Sequence, residues 1–322
     1  METTATFNLS QTSYSLAQSQ QLAALKYCQG RYQAQAPASA DWLANLAQRS
    51  QQQADLLLST LTLDGAAFNY LAALKYVQGL ELKHLNAQHI QQLHQQLHPK
   101  GGQWRELKLS LPLRHLSGQR ISISSHSTPV AQGIDQQLHN LRGHIAAGIE
   151  PLVAIPIFIA EFLQLFPFLN GNRRIALLLL RQLLIEQGHS VLQYQALEPL
   201  VLKDDPQCYR QLYAYSQQQA SPAEWLSYCW QVLQHSYENF QLAYQQANIS
   251  NKRGGKTQLI KQTLASFDGP FSLTELGQQL PTIGPDMIRK VVRQCRQEGW
   301  LQATGRGRNA KWVAVADSPK PR

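Results

Sequence analysis

Phe166-Pro167-Phe168-Leu169-Asn170-Gly171-Asn172-Arg173-Arg174-Ile175-Ala176-Leu177 is the stretch on which the reading of this chain turns. It joins two apolar segments, Ile155 to Leu165 before it and Leu177 to Gly188 after it, both with helical spacing. A glycine-containing turn that opens a helix presents backbone N–H groups at the positive end of the helix dipole, which suits an anion such as phosphate. Arg173 and Arg174 add charge-assisted donors. Taken alone, the same residues also fit a tight interhelical turn with solvated arginines.

Outward from this loop, Gln-, Leu- and Ala-rich sequence with apolar residues three and four apart dominates the first 250 positions, and β-branched alternation is scarce. The pattern predicts helices over Ser15–Gln33, Ala40–Leu58, Ala67–Gln78, Ala87–Gln96, Gly133–Ala147, Ala154–Leu165, Asn172–Gln187 and Pro222–Gln246. Gln103–Leu111 and Gln119–Ser125 are predicted to pair as a hairpin around a turn holding Pro, Ser and Gly. Polar Asn248–Gly255, with paired glycines, is the expected linker. Residues 1–14 then form a flexible N-terminus, 15–247 a helical domain, 256–316 a second domain and 317–322 a tail.

Charge divides unevenly between these domains. From Lys252 onward there are 13 Lys and Arg against 5 Asp and Glu, whereas residues 1–251 carry 16 against 15. Such a concentrated basic segment is the footprint of a polyanionic partner, because cations that neutralise phosphates release condensed counterions. Cys28, Cys208, Cys229 and Cys295 lie too far apart for a zinc or disulfide framework and read as reduced thiols. His94 and His98 have the i, i+4 spacing of a shared metal site but lack further ligands, so solvated imidazoles are expected and no metal. The apolar run Ile175–Leu180 is far too short for a bilayer, and the first residues carry no basic-then-apolar leader, so a cytoplasmic chain without membrane contact is expected.

The central loop resembles the Fic (Fido) family signature HxFx(D/E)GN(G/K)RxxR, keeping Pro167, Phe168, Gly171, Asn172 and Arg174 in order and spacing. The flanking helices and the downstream segment from Tyr209 to Leu233 are also similar, so the likeness covers roughly residues 15–245. The resemblance implies a mainly α fold with a β-hairpin flap, ATP bound by Asn170, Gly171, Asn172, Arg173 and Arg174, and transfer of AMP to a protein hydroxyl. Where the family has the histidine that accepts the hydroxyl proton, this chain has Phe166, whose ring takes no proton, so no catalytic residue is expected. Asn170 replaces the acidic magnesium ligand with a neutral oxygen, which implies weak or absent magnesium binding. Leu177 replaces the last arginine, which in the family holds the terminal phosphate, and Arg174 is left for a phosphate. Thr60, Asp64 and Gly65 resemble a remnant of the family's inhibitory helix, (S/T)xxxE(G/N), with Asp for Glu, though an ordinary helix end reads the same way. The hairpin resembles the family's target flap, built from Trp104, Arg105, Leu107, Ile121 and Ile123, which would grip an extended segment by strand addition. A surface hairpin without a ligand fits the same residues.

Residues 256–316 resemble a winged helix-turn-helix domain. A first helix, Thr257–Ala265, precedes a second opened by a capping box of Ser272 and Glu275 and closed by Pro281. A third helix is expected to bury Ile288, Val291, Val292 and Cys295 and to present Arg289, Lys290, Arg293 and Arg296 to DNA. Strands at Trp300–Ala303 and Lys311–Ala314 would frame a wing carrying Arg306 and Arg308, with Lys311 at its base. Three functions are weighed. The first is a DNA-binding regulator whose impaired Fic-like domain senses a nucleotide or protein partner; the second is a weak or altered protein adenylyltransferase; the third is an adaptor that only docks proteins. The oligomeric state is open.

Overall fold

The computed structural model describes residues 15–35, 38–60, 68–106, 109–112, 120–123, 129–203, 222–250, 254–267, 269–280, 283–304 and 311–315. The expected N-terminus 1–14 and tail 317–322 lie outside these residues. The chain divides into two compact units, and the division falls between Phe240 and Gln241.

The first unit runs α1 (Leu16–Ala34), α2 (Ala40–Thr60), α3 (Tyr70–Val77), α4 (Ala87–Leu97), β1 (Leu109–Pro112), β2 (Arg120–Ile123), α5 (Val130–Ala146), α6 (Pro151–Leu165), α7 (Asn172–Glu186), α8 (Glu198–Lys203) and the larger part of α9 (Pro222–Ser250). A 3₁₀ turn, Ser190–Gln193, lies between α7 and α8. Neither it nor α8 is foreshadowed by the hydrophobic period, because both are shorter than the window in which a period can be read.

Helix α6 is apolar almost all round, with Leu152 to Ala160 and Phe162 buried, so it must sit at the centre and be enclosed. It packs against both α5 and α7. The helix begins at Pro151 rather than at the expected Ala154, because proline's fixed φ and missing N–H suit the first helical position. A second proline, Pro156, lies inside the helix and cannot donate to the carbonyl four residues back, that of Leu152. Trp230 of α9 supplies that missing donor: its indole Nε1–H reaches Leu152 O at 2.7 Å, and Trp225 makes the same kind of bond to Pro156 O at 2.7 Å. Two tryptophans thus fix α9 on the face of α6 that its proline opens.

The two strands are antiparallel, with Leu109 opposite Ile123 and Pro112 opposite Arg120. The second lies within its expected span, whose residues 119, 124 and 125 are outside the described residues, whereas the first departs from expectation at its start. Gln103–Glu106 are not in the sheet; Arg105 instead donates its backbone N–H to Pro167 O at 2.8 Å, so the segment is tied to the signature loop.

The second unit carries α10 (Gly255–Ala265), α11 (Leu273–Gln279), α12 (Pro285–Gln297), β3 (Leu301–Thr304) and β4 (Lys311–Ala314). Ser272 and Glu275 form the reciprocal capping box at the start of α11. Strands β3 and β4 pair antiparallel, and Phe271 exchanges backbone hydrogen bonds with Trp312 at 2.9 and 2.7 Å. One core gathers Leu259, Ile260, Leu264, Phe271, Leu276, Leu280, Val291, Val292 and Cys295 from all three helices and the strand-like turn. The expected linker is partly helical: α9 continues through Ser250, four residues past the expected Gln246, and Gly254 with φ 79° opens α10. No helix of the described residues is long and apolar enough to cross a membrane.

Candidate functional site

The signature loop leaves α6 through Phe166, which adopts the left-handed conformation, φ 48° and ψ 60°. Among the described residues it is the one non-glycine with positive φ. Left-handed backbone brings Cβ against the carbonyl oxygen and costs roughly 1–2 kcal/mol, so neighbouring bonds must hold it. Arg105 does so: its Nε–H donates to Phe166 O at 2.9 Å and its Nη2 to Leu165 O at 3.3 Å. Arg105, expected in the flap, is buried and clamps the loop.

Phe168 is fully buried against two rings. His94 of α4 stacks on it at 3.9 Å and 15°, and Trp104 at 4.9 Å and 18°. His94 also fixes the loop by hydrogen bonds. Its Nδ1 accepts the backbone N–H of Gly102 at 2.9 Å, so the ring proton resides on Nε2, which donates to Asn170 Oδ1 at 3.3 Å. Burial pushes the His94 pKa down to about 4, and the hydrogen bond to Asn170 opposes this in part. The imidazole therefore stands neutral at physiological pH, as a strut. His98 lies parallel to His94 at 6.1 Å, and among the described residues no three His, Cys, Asp or Glu side chains gather.

Asn172 closes the turn on itself, accepting from Phe168 N–H at 2.9 Å and donating to Phe168 O at 2.7 Å. Gly171, with φ 71°, precedes α7 without a side-chain cap. A Cβ there would come within 3.2 Å of His94 Nε2, so both the backbone angle and the space call for glycine. Asn170, Gly171 and Asn172 are thus brought onto one turn, whereas the two arginines diverge. Arg174 lies over the Phe68 ring at 3.8 Å and reaches Leu58 O at the end of α2. Arg173 borders an apolar pocket lined by Ile159, Leu163, Leu177, Trp225 and Val232. Leu177, where the signature has its last arginine, is buried in that lining.

Of the remaining expected site residues, Thr60 closes α2, while Asp64, Gly65 and Leu107 lie outside the described residues. Trp104 packs on Phe168 instead of joining a strand; Ile121 and Ile123 stand in β2 opposite Leu111 and Leu109. In the second unit Arg289, Lys290, Arg293, Arg296 and Lys311 are exposed, and Ile288, Val291, Val292 and Cys295 are buried. Arg306 and Arg308 lie outside the described residues, as does Cys208; Cys28, Cys229 and Cys295 are free thiols.

The sequence model of the Fic/DOC family matches residues 84–184, the span from the approach to α4 through α7. No curated protein matches the sequence. A solved Fic family protein from Desulfovibrio desulfuricans G20 superposes with a TM-score of 0.53 at 16% identity, over 96% of this chain and 98% of that one. A variant of Fic-1 from C. elegans gives a TM-score of 0.50 at 14% identity, over 70% and 72% of the two chains. At these identities the likeness speaks to the fold, and the family match places a Fic/DOC domain at residues 84–184 of this chain.

Proposed function

We propose that this chain is a Fic-fold regulator that recognises without transferring, and that its second unit, read as a winged helix-turn-helix domain, binds DNA. The observation that carries the first half is Phe166 at the position of the family's histidine, its backbone held by Arg105. General base catalysis needs a group within hydrogen-bond reach that accepts a proton near the working pH, and a phenyl ring offers none. The imidazole that does touch the loop is no substitute. Both nitrogens of His94 are engaged, and a pKa of about 4 leaves it a poor acceptor.

A nucleotide's phosphates would meet the uncapped start of α7, and Arg174 would join them only by leaving the Phe68 ring and Leu58 O. The residues present fit a magnesium ion badly, because Asn170 already accepts from His94 and residues 166–174 contain no carboxylate. For the second unit, the support is the exposed cationic face of α12 together with the basic balance of the chain beyond Lys252.

Two measurements test this. Purified full chain incubated with labelled ATP and lysate should transfer no label; labelling that disappears in Arg174→Ala would show an active transferase. Duplex DNA affinity should fall with salt, and Arg293→Ala or Arg296→Ala should each flatten the log–log slope by about one. Affinity independent of salt would replace DNA with a protein partner.

A further inference from the structure

We infer that Asp286 and Arg289 form a base-reading pair at the N-terminal end of α12, with guanine as the base that Arg289 takes; the inference rests on the DNA-binding reading above. Arg289 Nη1 donates to Asp286 Oδ1 at 2.9 Å, and the side chains are 56% and 95% exposed. The pair therefore stands in solvent on the helix surface. There such an ion pair contributes little to stability, so its effect is on the direction in which the guanidinium points.

The helix places the pair where bases are read. Residues 286, 289, 290, 293 and 297 recur at helical spacing on the side opposite buried Ile288, Val291, Val292 and Cys295. Of these, 286 and 289 lie in the first turns, the end of a recognition helix that meets base edges. A guanidinium held by one nitrogen keeps a parallel pair of N–H donors free, and these match O6 and N7 of guanine in the major groove. The second oxygen of Asp286 is left to accept from the N4 amino group of cytosine. Further along, Lys290, Arg293 and Arg296 have no acidic partner among the described residues, which suits them to phosphates. The carboxylate near the C-terminal end, Glu298, is engaged by Lys261 at 3.5 Å and by Gln294 at 2.8 Å. A surface built for phosphates alone gains nothing from a carboxylate beside its first arginine. A surface that reads guanine does.

The experiment is selection by the full chain from a randomised duplex pool, followed by affinities of variants for the selected duplex and its single-pair changes at fixed salt. One G·C pair should be found at which Arg289→Ala lowers discrimination roughly tenfold or more. Asp286→Asn should lower discrimination at the same pair although it makes the surface more positive, and Arg296→Ala should weaken every duplex alike. Both members of the pair are exposed, so these variants should melt as wild type does. If Asp286→Asn tightens all duplexes equally and Arg289→Ala weakens all equally, the pair is bulk charge and the inference is wrong. If the full chain binds no duplex at all, the DNA-binding reading falls and takes the inference with it.

Discussion

Phe166 is held in a left-handed turn by a guanidinium that comes from 61 residues earlier in the chain. Arg105→Met would keep the stem's packing but remove the donors that the guanidinium gives to Phe166 O and Leu165 O. Equilibrium urea unfolding should show a loss of about 1–3 kcal/mol. His94 gives a prediction with a sign. Its folded pKa of about 4 lies below the ordinary 6.5, so below pH 6.5 the unfolded chain binds a proton that the folded chain does not. The stability that His94 contributes is present above pH 6.5 and declines by about 1.4 kcal/mol per pH unit down to about pH 4. The deficit of His94→Gln relative to wild type should thus be largest at pH 7 and narrow on acidification; a deficit that does not change with pH would mean the ring is not buried as described. At this scale the sequence was legible where the meaning is local. Phe166, Asn170 and Leu177 could be placed by spacing within one loop, whereas Arg105 and His94 act on partners 60 to 76 residues away, which no local pattern encodes. The i, i+4 histidine spacing was visible, but its stacking on Phe168 was not.

Helix α6 shows how one residue's defect is met by another element. Pro156 leaves Leu152 O without its helical donor, and the Nε1–H of fully buried Trp230 takes its place. Trp230→Phe keeps an aromatic side chain but strands that carbonyl, so a loss of about 1–3 kcal/mol is expected in urea unfolding. Restoring a backbone donor with Pro156→Ala should make the loss smaller; equal losses in both backgrounds would mean that the indole contributes only its volume. Among the elements, long amphipathic helices and the capping box of Ser272 and Glu275 were readable, because their signals repeat or sit at fixed offsets. The first strand was read as starting too early. Gln103 to Glu106 have the composition of a strand, but the backbone of Arg105 is engaged by Pro167 O, a tertiary bond that overrides propensity.

Across the whole molecule, charge and packing divide together. The second unit has its own core, and the segment from Lys252 carries 13 cations against 5 anions, whereas the first 251 residues are close to neutral. The concentration of charge was legible from counting; the division at Phe240 was not, since it falls inside the continuous helix α9. Like charges repel across a compact unit, and salt weakens that repulsion over about 8–10 Å at physiological ionic strength. Calorimetry of the full chain should therefore resolve two transitions, and raising salt from low to physiological concentration should raise the midpoint of one and leave the other nearly fixed. The salt-sensitive transition is assigned with Ile288→Val, a one-methylene deletion at a buried position of the second unit that costs about 0.5–1.5 kcal/mol. In a unit of this size that shifts the midpoint by several degrees. The same transition must respond to both salt and the substitution. If Ile288→Val moves the salt-insensitive transition, or if the chain melts in one step that both treatments shift, the two units do not unfold independently and the charge of the second is borne by the whole molecule.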